Sequence, residues 1–162
     1  MKIYHLKRIQ FLPITLSEAW EFFSTPKNLS KITPEHMGFE ILYMSGGERT
    51  YTGQIIQYKV SVLPGIKVDW VTEITHVKEL HYFIDEQRFG PYAFWHHQHY
   101  FREVPGGIEM TDEVNYAIPL GLLGQLAHLI FVGREVNRIF DHRFLVLDKY
   151  FSANRKGFLK AV

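Results

Sequence analysis

The pattern of hydrophobic and polar residues predicts one strand and two short helices at the start of the chain. Ile3–Leu12 mixes apolar and basic positions in a strand-like run that ends at a proline. Thr15 and Glu18 have the spacing of a capping box, and the apolar residues after them recur at helical intervals, which predicts a short amphipathic helix. A second short helix is predicted over Pro26–Ile32, because Thr25 offers an N-cap before a proline at the first helical position.

Alternation with a period of two governs the region from His36 to Ala117, and turns rich in Gly and Pro divide it. The strand-like runs are Phe39–Tyr43, Ile56–Val62, Ile66–Ile74, Leu80–Phe89, Tyr92–Val104 and Ile108–Ile118. Together with the first run, they predict a meander of seven antiparallel strands.

After Pro119 the apolar residues recur every three or four positions, as in a helix. The stripe consists of Leu122, Leu126, Leu129, Gly133, Val136, Phe140, Phe144, Leu147 and Phe151. It predicts one helix from about Leu120 to Phe151, roughly 45–50 Å long. The order of elements predicts a single α+β domain over residues 1–162, in which a curved antiparallel sheet wraps the long helix. Residues 152–162 are expected to form a flexible basic tail.

Aromatic residues are frequent for a domain of this size. The chain has 162 residues, of which 13 are Phe, 9 are Tyr and 3 are Trp. These rings either line a cavity between the sheet and the helix or pack together as a filled core. We favour the cavity, which would hold a small apolar molecule.

Charge and cysteine content exclude several classes of function. Because the chain has no Cys, thiol nucleophiles, Cys-containing zinc sites and iron–sulfur clusters are excluded. The net charge of +1 with neutral His gives no general electrostatic case for nucleic-acid binding. The N-terminal residues lack the apolar run of a signal peptide or a membrane span. We therefore expect a cytoplasmic protein without integral membrane association.

A motif spread over three predicted strands carries a resemblance to a known superfamily. It reads F-x-D-x-Q over Phe83–Gln87, G-P-x-x-x-W-x-H-x-H-x-F over Gly90–Phe101, and D-x-V-x-Y-x-x-P-x-G over Asp112–Gly121. With the order of elements over nearly the whole chain, it resembles the SRPBCC superfamily, which has the START-like helix-grip fold and includes polyketide cyclases. The motif is similar to that of one branch, whose members occur alone or fused to an epimerase-like domain in proteins labelled cell-division inhibitors.

The resemblance implies binding of a small hydrophobic or amphipathic molecule, such as a lipid, a polyketide-like compound or an aromatic compound. It brings no established reaction with it. Because this chain has neither a G-x-G-x-x-G fingerprint nor a second domain, no NAD-dependent function and no cofactor is expected. A cyclase or dehydratase that uses a cavity His or Asp as general acid or base is the first alternative. A protein-interaction domain with a filled core is the second.

The histidine-rich strand offers the main candidate chemistry. Trp95, His97, His99 and Phe101 share one face of an extended strand. If the hairpin pairs Phe101 with Met110, Asp112 lies opposite His99, where its carboxylate would raise the His pKa and fix the ring. A structural polar ladder, a polar handle for a cavity ligand and a His-x-His metal site with a carboxylate are the three interpretations. We predict that the histidines face inward as the handle and not as a metal site.

The candidate ligand-binding residues are the aromatic, aliphatic and polar side chains on these predicted inner faces. They are Trp70, Phe83, Trp95, His97, His99, Phe101, Asp112, Tyr116, Leu126 and Phe140. Further candidates are Glu73, Asp85 and Gln87, of which the two acidic residues are expected to be solvated unless their faces point inward. No catalytic residue and no metal ligand is assigned.

Overall fold

The computed structural model describes residues 1–63 and 65–158, and the side chains of all of these except residues 63 and 153–158. Within this part of the chain, seven strands form one antiparallel sheet in the order β1-β7-β6-β5-β4-β3-β2. The strands are β1 (Tyr4–Leu12), β2 (Glu40–Met44), β3 (Ile55–Leu63), β4 (Ile66–Lys78), β5 (Tyr82–Phe89), β6 (Phe94–Val104) and β7 (Gly107–Ala117). The predicted curved meander is confirmed, and the first strand pairs with the last.

Two short helices follow β1, as predicted. They are α1 (Leu16–Phe23) and α2 (Leu29–Ile32), with 3₁₀ turns at Pro26–Asn28 and Glu35–Met37. The capping box forms at α1: the Glu18 amide donates to Thr15 Oγ1 over 3.2 Å, and the Thr15 amide donates to Glu18 Oε2 over 2.8 Å. This reciprocal pair satisfies two backbone donors and fixes where the helix begins.

The long C-terminal helix has three parts where the sequence predicted one. A helix α3 (Gly121–Ala127) leads through a π-helical segment (His128–Val132) into α4 (Gly133–Phe158). A π turn contains more residues than an α turn, so the faces of α3 and α4 are rotated relative to one another. For this reason the predicted stripe is buried in α4 but not before it. Leu122, Leu126 and Leu129 are exposed.

Within α4, the buried face differs from the prediction at one position. Phe140, Arg143 and Leu147 are buried, whereas Phe144 is 40% exposed. Both Arg143 and Phe144 lie at helical spacing from Phe140, so the apolar pattern alone favoured the phenylalanine. The consequence is that a guanidinium group takes the inward position.

Polar contacts fix α4 on the first strand. Arg8 Nη2 donates to Asn137 Oδ1 over 2.7 Å and to Asp141 Oδ1 over 3.0 Å. Gln10 Nε2 donates to the carbonyl of Phe144 over 2.9 Å. The helix therefore packs closely on β1 and β7, where Val136 and Phe140 join a buried cluster with Leu6, Val114 and Tyr116.

At one end of the sheet, α1 completes a second core. The Trp20 ring meets the Phe101 and Phe83 rings edge-on, with centroids 5.8 Å and 6.2 Å away. Leu147 and Phe151 of α4 belong to the same cluster. Trp20, Phe101, Leu147 and Phe151 are tightly packed here, whereas Phe83 of the same cluster also borders the cavity that lies between the sheet and α4.

Residues 1–63 and 65–158 contain no helix both long and apolar enough to cross a bilayer. The backbone of α4 continues in helical form to Phe158, beyond the predicted end at Phe151. Of the flexible basic tail predicted for 152–162, residues 152–158 therefore have a helical backbone, whereas 159–162 lie outside the described residues, and the flexibility stays a prediction.

Gly107→Ala tests the junction between β7 and the end of β1. A Cβ atom at residue 107 would lie 2.2 Å from the Leu12 carbonyl oxygen, which is backbone and cannot rotate away. We expect the free energy of unfolding, measured by urea denaturation, to fall by about 1–3 kcal/mol. Gly47→Ala is the control, because a Cβ there meets no atom within 4 Å. Equal stability of the two variants would contradict this account of the junction.

Candidate functional site

A cavity of about 560 Å³, open to solvent on part of its boundary, lies between α4, the short helices after β1 and the inner face of the sheet. Strands β3 to β6 supply its sheet wall, whereas β1 and β7 lie directly under the helix. Six predicted site residues line it: Trp70, Phe83, Trp95, His97, His99 and Phe140. The cavity is mainly aromatic and aliphatic, and it has the size of a site for one small organic molecule.

The other four predicted site residues do not line this cavity. Phe101 packs against Trp20 in the solid end of the core. Tyr116 lies beneath the helix, where its hydroxyl is 2.9 Å from His128 Nε2. Leu126 is 53% exposed, because α3 turns Gly124 and not the leucine towards the protein. Asp112 lies behind the histidines, out of reach of a cavity ligand except through them.

The predicted register of the β6–β7 hairpin is confirmed. Phe101 pairs with Met110, His99 with Asp112 and Trp95 with Tyr116. His97 is 4% exposed and His99 is 7% exposed, and both line the cavity as predicted. Their rings lie one against the other, with centroids 3.7 Å apart.

Asp112 contacts both imidazoles from the β7 side. His97 Nε2 is 3.0 Å from Asp112 Oδ1, with hydrogen-bond geometry. His99 Nδ1 is 2.8 Å from the same oxygen but is poorly directed for a hydrogen bond. Because Asp112 is itself 7% exposed, the contact is a buried one on both sides.

Asp85 contacts the same two rings from the β5 side, contrary to the expectation that it is solvated. Its Oδ2 lies 3.0 Å from His99 Nε2 and 3.4 Å from His97 Nδ1. The four residues Asp85, His97, His99 and Asp112 form what we call the His–Asp cluster, in which each imidazole lies between two carboxylates. Because Asp85 lies two residues after buried Phe83 on β5, alternation along the strand could have placed its side chain on the same inner face. Glu73 does face outward, where it accepts from Arg88 Nε over 2.6 Å.

The electrostatics of the His–Asp cluster distinguish its two histidines. Burial lowers the pKa of His97, and the nearby charge of His99 lowers it further. Burial also acts to lower the pKa of His99, but its close contacts with the carboxylates of Asp112 and Asp85 outweigh this and raise the pKa. Burial acts to raise the pKa of each carboxyl group, yet the imidazoles, with Arg143 in the case of Asp85, lower both, and they hold the pKa of Asp112 well below its ordinary value. Of the two imidazoles, His99 therefore binds a proton more readily and His97 less readily than a histidine in water, beside two carboxylates.

Other polar side chains on the cavity wall were not among the site residues predicted from the sequence. Tyr58 OH lies 2.6 Å from Thr72 Oγ1, and burial raises the pKa of the phenol above its ordinary value. Arg143 lies on the opposite wall, from α4. Tyr58 and Thr72 could have been found from their parity with Trp70 across the paired strands. With the histidines, and with Glu135 of α4, they place polar side chains on both walls of a mainly apolar cavity.

The sequence motif corresponds to the inner faces of β5, β6 and β7 and to the turn between the first two. Gln87 Nε2 donates to the Tyr92 carbonyl over 2.7 Å, and the Tyr92 amide donates to Gln87 Oε1 over 3.2 Å. A Cβ at Gly90 would lie 2.4 Å from that same Oε1. The glutamine and the glycine thus shape the turn that places Tyr92 on the cavity wall.

Comparison with known proteins gives the fold and no closer relationship. No family model matches the chain, and no curated protein matches it either. Among solved structures, it is similar to Ara h 8.0201, with 12% identity and a TM-score of 0.62 over 94% of this chain and 99% of the other. It is similar to TTHA0849 from Thermus thermophilus, with 14% identity and a TM-score of 0.67 over 93% and 99%.

A third similar structure is the di-domain ARO/CYC StfQ from the steffimycin biosynthetic pathway. The identity is 13% and the TM-score 0.70, over 96% of this chain and 52% of StfQ. The chain therefore corresponds to about half of that protein. At these identities the likenesses establish a START/SRPBCC-like helix-grip fold, as predicted.

Asp112→Asn tests the buried carboxylate through the pH dependence of stability. The folded protein keeps this group charged where the unfolded chain binds a proton, so the wild type loses stability as pH falls below about 4. Without the carboxylate, this slope should decrease by up to about 1.4 kcal/mol per pH unit. We expect the variant to be less stable at pH 7 and the difference to shrink towards pH 3. Asp148→Asn, at an exposed position of α4, is the control. A constant difference across this range would contradict the assignment.

Elemental analysis of the purified protein tests the metal interpretation. Asp85, His97 and His99 offer ligand atoms within 4.8 Å of one another, a spacing that could hold an ion. Here those atoms contact each other directly, and a metal would have to replace their contacts. If the histidines serve as the polar handle for a ligand, the purified protein should contain no stoichiometric zinc or iron. Equimolar metal that is lost in His99→Phe would contradict it.

Proposed function

We propose that this protein binds one small hydrophobic or amphipathic molecule in the cavity between the sheet and α4. The observation that carries the proposal is a cavity of about 560 Å³ with mainly apolar walls and a small number of polar side chains, among them His97, His99 and Arg143. A cavity of this size is far larger than packing defects in ordinary cores, which are seldom bigger than a water molecule. The filled-core alternative lacks support for the same reason.

The arrangement of the walls supports an amphipathic ligand. The aromatic surface of Trp70, Trp95 and Tyr92 forms one part of the cavity, with Trp70 and Trp95 edge-on at a centroid distance of 5.3 Å. The histidines and Arg143 supply polar atoms to another part. A molecule with an apolar body and a polar group would satisfy both parts, since buried polar groups are normally hydrogen-bonded.

An enzyme of the cyclase or dehydratase type is the second candidate, and the His97–Asp112 pair favours it. A neutral imidazole held by a carboxylate at a cavity wall can accept a proton from a bound substrate. StfQ, to which the chain is similar in fold, is described as an ARO/CYC protein. Conversion of a poly-β-ketone substrate that ceases in His97→Phe would favour the enzyme. Tight binding with no product would favour the binding protein.

Val60→Phe tests the location of the binding site. Val60 is buried and lines the cavity, so the larger ring should take up part of the empty volume. We expect the fluorescent probe ANS to bind the wild type saturably at one per chain, and its affinity to fall at least tenfold in Val60→Phe.

Ile9→Phe provides the matched control, since Ile9 is 54% exposed on the outer face of β1. It adds the same kind of ring to the surface and should leave ANS binding unchanged. Circular dichroism confirms that both variants fold. Equal loss of affinity in both variants, or no saturable binding to the wild type, would contradict the proposal.

A further inference from the structure

Arg143 is a buried cation on the wall of the cavity. It lies on the inward face of α4, between Phe140 and Leu147, and is 8% exposed. Its guanidinium carbon is 4.9 Å from the centroid of the Phe140 ring. The apolar neighbours along the helix hold the side chain at the cavity and away from bulk water.

Among the side chains that the structure describes, which leave out residues 63 and 153–158, none forms an ion pair with Arg143, and its buried Nε has no hydrogen-bond partner. This contrasts with Asp85 and Asp112, whose carboxylates are already engaged by the histidines. Keeping a charge out of water without a partner is costly, and such groups are normally paired. The unpaired guanidinium of Arg143 is therefore suited to form an ion pair with a negatively charged group of a bound ligand.

We propose that Arg143 binds an anionic group of the ligand, so that the molecule held in the cavity is a hydrophobic acid carrying a single carboxylate. This inference rests on the proposed binding function and specifies the chemical class of its ligand. The planar guanidinium matches a carboxylate with two parallel hydrogen bonds. The carboxylate would lie beside the polar region, and the apolar body would contact the aromatic wall.

The charges around the cavity favour a single negative charge over a double one. Arg143, Asp85 and Tyr58 all line the cavity, and the charge of Arg143 acts to lower the pKa of Asp85 and opposes the rise that burial causes in the pKa of Tyr58. A dianionic phosphate at Arg143 would bring two negative charges into a cavity whose wall already carries the acidic side chains of Asp85 and Glu135. A carboxylate brings only one negative charge, which the guanidinium can offset.

The opposing possibility is that Arg143 serves only as a distant counter-charge to the His–Asp cluster. Such a role would stabilise the ligand-free protein and would give no preference for acids. The two possibilities therefore differ in what removal of the charge does to stability. They also differ in whether the ligand's charge affects binding.

A matched pair of fluorescent probes tests the inference on the whole chain. The acid is 11-(dansylamino)undecanoic acid, and its methyl ester has the same fluorophore and chain without the charge. We expect the wild type to bind the acid about 10- to 100-fold more tightly than the ester, as for a hydrogen bond to a charged group. Arg143→Met should lose this preference and keep its affinity for the ester. Arg143→Lys should retain part of the preference for the acid over the ester. This variant also tests the inference if Arg143→Met does not fold.

Arg134→Met is the control, since Arg134 lies near the start of the same helix, away from the cavity wall. It should leave both affinities unchanged. The thermal midpoint of ligand-free Arg143→Met should not fall, because an unpaired buried charge has been removed. Equal binding of acid and ester by the wild type, or a fall in midpoint with the acid preference intact, would overturn the inference and leave the binding function standing. Failure of both probes to bind would overturn the proposed function, and this inference with it.

Discussion

Three buried ionisable side chains and a fourth that is partly buried form the polar side of the cavity, and they come from three neighbouring strands. Asp85 on β5 and Asp112 on β7 approach His97 and His99 from opposite sides, at distances of 2.8–3.4 Å. Each group alone would be costly inside an apolar wall, and together they neutralise much of one another's charge. The cluster thereby ties β5, β6 and β7 together through side chains as well as through the backbone ladder.

The cavity itself follows from where α4 is attached. Arg8 and Gln10 hold the helix on β1, at one edge of the sheet. The helix packs directly on β1 and β7, whereas the sheet curves away from it over β3 to β6. Aromatic side chains from these strands then line the space without filling it, and α1 with Trp20 covers one end.

Periodicity was a good guide to this fold because most strands have one buried face. The hairpin register could be predicted from Phe101, His99 and Trp95, since only one parity puts all of them opposite residues that are also inward. The inward position of Asp85 was not predicted because a lone carboxylate in an alternating strand is usually solvated. Its position here depends on two histidines, two residues apart, on the next strand. Arg143 was missed because helical spacing cannot separate it from Phe144. The rotation of the helix's buried face at the π-helical segment, His128–Val132, also depends on packing, and no local feature of the sequence predicted it.

The indole signals in a ¹H–¹⁵N spectrum test the central claim most directly, because the three tryptophans lie in two different parts of the protein interior. Trp70 and Trp95 line the cavity, and Trp20 lies in the packed end of the core. During titration of labelled protein with dodecanoate, the account predicts that the Nε1–H signals of Trp70 and Trp95 shift and saturate at one equivalent, while that of Trp20 stays in place. No shift at Trp70 and Trp95 under saturating ligand, or equal shifts of all three signals, would contradict a ligand held between the sheet and α4.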